Sequence, residues 1–314
     1  MKYLGDEQMR RMVLAVCCVC ATSFMACGLR TGQTADDERI LSNSIGMRFV
    51  LIPAGTFMMG SPEAAESVAA HPAYSDAPGL VKWYQDEHPL HRVTISRPFY
   101  LQETEVTLAQ FRRFVSATGF RTDSEKEGVN WQAPGFSQGD NEPVVHISRN
   151  DAEAFVAWLN KKEDTDRYSL PTEAQWEYAC RAGTETPYYW GTLPDGGKAN
   201  FADGSYSRAY PKHKGVNRSQ EDGHVHTAPV ARYPANPFGL YDMSGNAFEW
   251  CKDWFGEYSA APARDPQGPA EGKRGVLRGG AWQTSAMAIR SAARASFDPG
   301  RRDNFTGFRV ARTY

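Results

Sequence analysis

The 314-residue sequence lacks the signatures of several common protein classes. Only two of its six cysteines, Cys180 and Cys251, lie beyond residue 27, which excludes a disulfide framework and a zinc pattern in the body of the chain. A single Cys180–Cys251 bridge stays open. No basic stripe is present and the net charge is −2, so nucleic acid is not an expected partner. Walker, Rossmann, Gly-x-Ser-x-Gly and His-Glu-x-x-His motifs are also missing, so no common catalytic class is indicated.

The sequence is rich in turn-forming and aromatic residues. It contains 28 glycines and 19 prolines, which predict many turns and irregular segments. Hydrophobic residues make up 41% and aromatic residues 12%, enough for a substantial core. The length fits one large domain or two small ones.

The N-terminal residues have the layout of an export signal. Basic residues 9–12 (MRRM) precede an uncharged apolar run, 13–25, which is shorter than the roughly 20 residues that a membrane-spanning helix needs. Residues 24–27 (FMAC) resemble a bacterial lipobox, which predicts acylation of Cys27 and a lipid anchor in the membrane. Ordinary secretion and an uncleaved anchor are the alternatives. We expect a signal peptide at 1–27, a polar linker at 28–42 and a location in the cell envelope.

Hydrophobic periodicity and capping residues predict the regular elements of the body. Thr107 is expected to cap a helix over 108–118, Asn150 or Asp151 a helix over 152–161, and Thr172 a helix over 173–182. Strands are predicted at 46–53, 54–60, 91–95, 276–278 and 307–310, with a loop over 61–85 and mainly turns over 183–233.

A series of motifs from residue 43 to residue 312 resembles the formylglycine-generating enzyme (sulfatase-modifying factor) family. The matching strings are 52–60 (IPAGTFMMG), 103–107 (ETEVT), 143–148 (PVVHIS), 170–179 (LPTEAQWEYA), 189–191 (YWG), 227–230 (TAPV), 236–250 (NPFGLYDMSGNAFEW), 278–282 (RGGAW) and 307–311 (GFRVA). The resemblance implies one compact α+β domain over 43–314, related to the C-type lectin fold and low in regular secondary structure.

Two sets of oxygen-bearing residues are candidates for structural calcium. Asp242 and Glu249 flank small residues, and calcium takes six to eight oxygen ligands from carboxylates and carbonyls. The resemblance implies two sites. In the first, Asp242 and Glu249 bind by side chain and Gly245 and Ala247 by backbone. In the second, Asn200 and Asp222 bind by side chain and Phe201 and His224 by backbone. Turn capping and a surface pair are the alternative interpretation of Asp242 and Glu249.

The catalytic centre of the family has no counterpart in the sequence. Family enzymes bind copper(I) through two cysteines after a Gly-Gly-Ser-Tyr segment, whereas residues 279–291 (GGAWQTSAMAIRS) contain no cysteine and Thr284 stands at the first position. Cys180 matches a cysteine that forms a disulfide in some members, but its partner position is Ser291, so a free thiol is expected. We expect no copper, and no catalytic residue is identified.

The segment after Gly280 is the candidate ligand-binding groove. In the family's enzymes it floors the substrate groove, and in another branch of the fold it is the variable face of proteins diversified by retroelements. We predict binding of a peptide, a protein or a glycan by Trp282, Gln283, Thr284, Ser285 and Met287, together with Tyr189 and Trp190. The alternatives are a solvated loop, an enzyme of altered chemistry and a retroelement-diversified surface protein.

Two further groups of residues could have carried a site. His224 and His226 could present two imidazoles to a metal from one side of an extended strand. The His-x3-His-x-Glu triad of distant relatives that bind iron is absent from the sequence. Arg290, Arg294 and Arg309 could form an anion site, but we expect them to pair with carboxylates and to stack on aromatic rings.

Overall fold

The hydrophobic segments of the body form short strands around a few capped helices. The computed structural model describes residues 39–70, 81–122, 130–214 and 216–314. Within these residues the helices are α1 (Ala65–Ala70), α2 (Val81–Gln85), α3 (Leu108–Thr118), α4 (Arg149–Lys162), α5 (Glu173–Arg181) and α6 (Gly204–Ala209). The strands are β1 (Ile40–Ser42), β2 (Arg48–Ile52), β3 (Gly55–Met59), β4 (His91–Ile95), β5 (Phe99–Gln102), β6 (Tyr168–Ser169), β7 (Phe248–Trp254), β8 (Ala263–Arg264), β9 (Gly275–Arg278), β10 (Ala295–Phe297), β11 (Thr306–Gly307) and β12 (Ala311–Thr313).

The strands form three sheets. The five-stranded sheet has the order β1-β2-β5-β12-β6, and all of its pairs are antiparallel. The four-stranded sheet has the order β10-β9-β7-β11, in which β11 runs parallel to β7. The three-stranded sheet has the order β3-β4-β8. Residues Arg39–Tyr314 form one compact unit that mixes helices and strands, which confirms the expected α+β class.

Side-chain caps fix where the central helices begin. Thr107 accepts a hydrogen bond from the Gln110 amide at 3.2 Å, and Thr172 accepts one from the Gln175 amide at 3.1 Å, so both predicted caps are confirmed as capping boxes. The cap predicted for α4 is wrong. Ser148 caps that helix, because its hydroxyl accepts from the Asp151 amide at 3.1 Å while the Asp151 carboxylate accepts from the Ser148 amide at 3.0 Å.

Other boundaries also differ from expectation. The predicted loop over 61–85 contains α1 and α2, and Ile40–Ser42, predicted at the end of the linker, pairs with β2 as strand β1. The strand predicted at 307–310 is wrong for most of its length, because β11 ends at Gly307 and β12 begins only at Ala311. The interruption has a local cause, because the Val310 amide donates to the Gln102 side chain at 3.2 Å instead of to a neighbouring strand.

The largest aromatic core lies beneath the five-stranded sheet. Phe111 and Phe155 stack with ring centroids 6.0 Å apart, and Phe308 and Trp131 contact Phe111 edge to face. Aromatic pairs of this geometry contribute about 0.5–1.5 kcal/mol beyond the area they bury. This core includes Phe248 and Trp250 of β7 and Phe308 and Val310 of the C-terminal segment, so it fixes the position of Glu249 and Arg309 beside them.

A turn-rich segment separates α5 from β7, as expected, and contains one short helix, α6. Side chains organise its backbone: Asn236, for example, donates to the carbonyls of Ala179 and Cys180 at 2.7 and 3.1 Å.

Cys180 and Cys251 are buried free thiols, and the Cys180 sulfur lies 3.5 Å from the Ser291 hydroxyl. No helix in the described part of the chain is both long and apolar enough to cross a membrane. The predicted signal peptide and Cys27 lie outside the described residues.

Candidate functional site

A buried cluster of three carboxylates faces one arginine where β7 meets the C-terminal strands. Arg309 donates to both oxygens of Glu249, at 2.6 and 2.7 Å, and the Trp176 indole donates to the same carboxylate at 2.7 Å. Asp242 and Glu105 lie close enough to repel this charge and each other. Burial, followed by the charge of Asp242, raises the pKa of Glu105 well above its usual value, and burial raises the pKa of Asp242 to about 7.

Two carboxylate oxygens in this cluster accept no hydrogen bond from any residue in the described part of the chain. Asp242 accepts the Ala231 amide at 2.7 Å on one oxygen, and its other oxygen has no partner. Glu105 accepts the Asn246 side-chain amide at 3.0 Å, and its second oxygen is likewise unpaired. A buried oxygen without a donor costs free energy unless a cation or water supplies the missing contact.

The residues of the second predicted site also converge. Asp222 accepts the amides of Phe201 and His224 at 3.0 and 2.7 Å, and burial raises its pKa to about 7. The side-chain oxygen of Asn200 is buried and has no hydrogen-bond donor within residues 39–70, 81–122, 130–214 and 216–314. The Asn200 backbone carbonyl also accepts the Asn246 amide at 2.8 Å, so this region continues directly into the carboxylate cluster.

The chemistry of these donors fits calcium, and Glu105 adds a further carboxylate to the residues that the sequence predicts. Arg309 and Trp176 engage both oxygens of Glu249, so the unpaired carboxylate oxygens belong to Asp242 and Glu105. Sequence reasoning missed Glu105, because it lies in a distant motif, 103–107, with no local ligand spacing. No group of three His, Cys, Asp or Glu side chains among the described residues is arranged to hold a metal. Amide and backbone oxygens would therefore complete any such site.

The predicted groove is a cavity of about 570 Å³ beside the C-terminal segment. Four of the candidate ligand-binding residues line it: Gln283, Thr284, Ser285 and Met287. Its wall also contains these aromatic and charged side chains: Trp83, Tyr84, Phe248, Phe297, Phe305, Glu87, His213, Lys214, Arg274, Arg294 and Arg301. Met287 contributes from a buried position, where it packs against Ala65 and Tyr84.

The other three predicted groove residues lie outside this cavity. Trp282 is buried, packs against Phe136 and His226, and donates to the Asn304 carbonyl at 3.1 Å. Tyr189 is buried and donates to the Pro234 carbonyl, while Trp190 packs on Tyr189 and does not line the groove. Composition alone did not show that these rings fill the core instead of facing a ligand.

Thr284 forms a backbone turn at the position that the resemblance gives to a copper-binding cysteine. Its hydroxyl donates to the Ala281 carbonyl and accepts the Ala281 amide, both at 2.9 Å. The hydroxyl is a hard oxygen donor that is already used by the backbone, whereas copper(I) prefers soft thiolates. The local role of Thr284 is therefore to stabilise the turn.

The remaining candidates have structural contacts. His224 and His226 do not share a strand, since their segment is irregular, and His226 stacks on Phe136 with ring centroids 4.3 Å apart. The expected arginine pairs are confirmed as Arg290–Glu87, Arg294–Glu173 and Arg309–Glu249. Arg290 and Arg294 also lie over aromatic rings.

Comparisons with known proteins agree with the fold and the motifs. A family model described as "Sulfatase-modifying factor enzyme 1-like domain" matches residues 42–314. The formylglycine-generating enzyme of Streptomyces coelicolor is 36% identical over 83% of this chain and 88% of its own length. The structure of PvdO from Pseudomonas aeruginosa superimposes with a TM-score of 0.69 at 28% identity, over 88% of this chain and 98% of that one.

A further solved structure shares the fold. Variable protein 1 of Treponema denticola aligns with a TM-score of 0.63 and 24% identity, over 88% of this chain and 99% of that chain. With the family model spanning nearly all of the described unit, the chain belongs to the family of proteins with a sulfatase-modifying factor enzyme 1-like domain.

Proposed function

We propose that this chain is a ligand-binding member of the family that does not carry out copper-dependent formylglycine formation. The proposal rests on the combination of an open groove with a turn in which the Thr284 hydroxyl is already hydrogen-bonded to the backbone. The groove keeps about 570 Å³ of open volume, whereas the Thr284 hydroxyl binds the backbone of Ala281 where the family's enzymes place a thiolate. Cavities of roughly 300–1,000 Å³ are typical of small-ligand sites.

The oxidase activity is tested directly with a peptide that carries the sulfatase cysteine motif. The purified protein, supplied with copper(I) and oxygen, should convert less than about one thousandth of what the Streptomyces coelicolor enzyme converts, because no thiolate pair holds the metal. Mass spectrometry of the peptide detects the aldehyde product. Turnover comparable to that enzyme would contradict the proposal and show that the chain forms formylglycine without a pair of thiolates at this turn.

Structural calcium forms a second part of the proposal. Asn200, Asp222, Asp242 and Glu105 would offer side-chain oxygens, Glu249 would contribute beside Arg309, and backbone carbonyls of Phe201, His224, Gly245 and Ala247 would complete the sets. The support is the group of buried oxygens without donors on Asn200, Asp242 and Glu105. A bound cation would offset the charge of these carboxylates and hold the turn-rich segment before β7.

Removal of calcium should lower the thermal stability. At a free calcium concentration of one hundred times the dissociation constant, bound metal contributes about 2.7 kcal/mol, so excess chelator should lower the melting temperature by roughly 5–10 °C. Differential scanning calorimetry of the purified protein measures this change. Added calcium should restore the melting temperature, and a melt that is identical with chelator and with calcium would remove this part of the proposal.

Export and membrane anchoring through Cys27 complete the proposal. Their support is the signal-like pattern of residues 9–27, which precedes the described unit. Fatty-acid labelling that is lost in a Cys27→Ser variant is the expected result, and labelling that persists would contradict the anchor site.

A further inference from the structure

The groove wall carries more positive than negative side chains. Lys214, Arg274, Arg294 and Arg301 line it, against one carboxylate, Glu87. Glu87 is buried and forms a bidentate ion pair with Arg290, which lies outside the lining. The negative charge in the wall is thus already compensated from within the protein.

Two of the cationic groups, unlike the other two, form no ion pair with a residue that the structure describes. Arg294 binds Glu173 at 2.6 and 2.8 Å, and Arg301 binds Asp303 at 2.6 Å. Lys214 and Arg274 are exposed and form no ion pair within the described residues. Arg274 donates to the Ser296 carbonyl, a contact that positions the guanidinium without neutralising it. The rim of the groove is therefore electrostatically positive.

The interior of the groove is largely aromatic. Phe305 lies between Phe248 and Phe297, with ring centroids 6.2 and 6.4 Å away. Trp83 is 57% exposed, although most large apolar side chains of the described residues are at least partly buried. A bulky apolar side chain in this groove would remove these rings from water, and full burial of such a side chain contributes about 1.5–3 kcal/mol.

One wall offers polar groups suited to a peptide backbone. The Gln283 amide and the Ser285 hydroxyl are half-buried and have no hydrogen-bond partner among the described residues. An amide side chain both donates and accepts, as a hydroxyl does, which matches the alternating N–H and C=O groups of an extended peptide. These groups distinguish the groove from one suited only to a purely apolar ligand.

Taking the proposed ligand-binding function as its basis, we propose that the groove binds an acidic peptide segment with a bulky apolar side chain. The aromatic interior takes the apolar side chain, Gln283 and Ser285 bind the backbone, and Lys214 and Arg274 attract the flanking carboxylates. Charges at the rim of an interface act chiefly on partner selection and association rate.

Three labelled hexapeptides test the proposal by fluorescence anisotropy with the purified protein. The acidic probe is Gly-Glu-Phe-Leu-Glu-Gly, and the neutral and basic probes carry Ser or Lys in place of both Glu residues. We expect the acidic probe to bind at least about tenfold more tightly than the basic probe. Its affinity should also fall as salt is raised, because exposed charges are screened over about 10 Å at 0.1 M salt.

Matched variants test whether Lys214 and Arg274 cause the preference for the acidic probe. Lys214→Glu combined with Arg274→Glu should remove or reverse the preference for the acidic probe. Arg92→Glu combined with Lys161→Glu makes the same change in net charge at exposed positions outside the groove lining and should leave the preference unchanged. Ser285→Trp fills the groove without a change in charge and should abolish binding of every probe, with thermal melting used to verify that each variant folds.

The outcomes separate this inference from the proposed function. Equal or tighter binding of the neutral or basic probe, blocked by Ser285→Trp, would overturn the acidic preference and still support a binding groove. A preference that survives the Lys214 and Arg274 substitutions would overturn it as well. If none of the probes binds, both the acidic ligand and the peptide-binding groove are contradicted.

Discussion

Replacing Arg309 with methionine should lower the free energy of unfolding by about 3–5 kcal/mol, because it leaves buried carboxylates without their cation. Arg309 and Glu249 are both fully buried, and the guanidinium also donates to the carbonyls of Gln102 and Tyr241 at 3.2 and 2.9 Å. The same arginine offsets the charges of Glu105 and Asp242. Urea unfolding followed by circular dichroism, in excess calcium, measures the change.

An exposed arginine provides the matched control. Arg48 pairs with Glu103 at 2.8 Å, but its side chain is 56% exposed, and pairs of this kind contribute only about 0–1 kcal/mol. Arg48→Met should therefore have a small effect. Similar losses for the two variants would show that Arg309 does not compensate a buried cluster.

The helices were largely predictable because their signals are local. Thr107 and Thr172 each precede an amphipathic segment and are followed three residues later by glutamine, and both begin helices as capping boxes. At α4 the predicted caps, Asn150 and Asp151, lie inside the first turn of the helix, and the apolar pattern did not indicate Ser148 as the cap. The choice depends on backbone geometry, since the true cap is extended while the residues after it are helical.

The carboxylate cluster was only partly predictable because it joins distant segments. Asp242 and Glu249 belong to one motif and were identified together. Glu105 and Arg309 approach them only through the folded chain, for which the sequence offers no spacing rule. The sequence therefore did not show which groups bind Glu249. In the structure its carboxylate accepts hydrogen bonds from Arg309 and Trp176.

The groove was also only partly predictable, because its wall joins one continuous segment to residues from distant segments. Gln283, Thr284, Ser285 and Met287 all line the cavity, because they follow one continuous segment. Trp282 and Tyr189 are amphipathic rings whose polar atoms can be satisfied inside the protein, and both donate to backbone carbonyls there. Lys214 and Trp83 enter the groove wall from separate segments and were not predicted.

Gly245 joins the two candidate calcium regions and should be intolerant of any side chain. Its φ is +84°, and a Cβ built there would lie 2.0 Å from the Asn200 carbonyl oxygen. The left-handed conformation costs a non-glycine residue about 1–2 kcal/mol, and overpacking against a fixed backbone adds about 1–3 kcal/mol. Gly245→Ala should thus lower the free energy of unfolding by about 2–5 kcal/mol.

Gly239 is the control position that separates the conformational cost from the overpacking cost. Its φ is +90°, but no heavy atom lies within 4 Å of a Cβ built at that position, so Gly239→Ala should lose only the conformational part, about 1–2 kcal/mol. Equilibrium unfolding of both variants, with calcium and with chelator, measures the difference. If Gly245→Ala costs no more than Gly239→Ala, the contact between Gly245 and Asn200 does not constrain the fold. A larger cost for Gly245→Ala would mean that displacement of the Asn200 backbone disturbs both candidate calcium regions, which carry the unpaired oxygens of Asn200, Asp242 and Glu105.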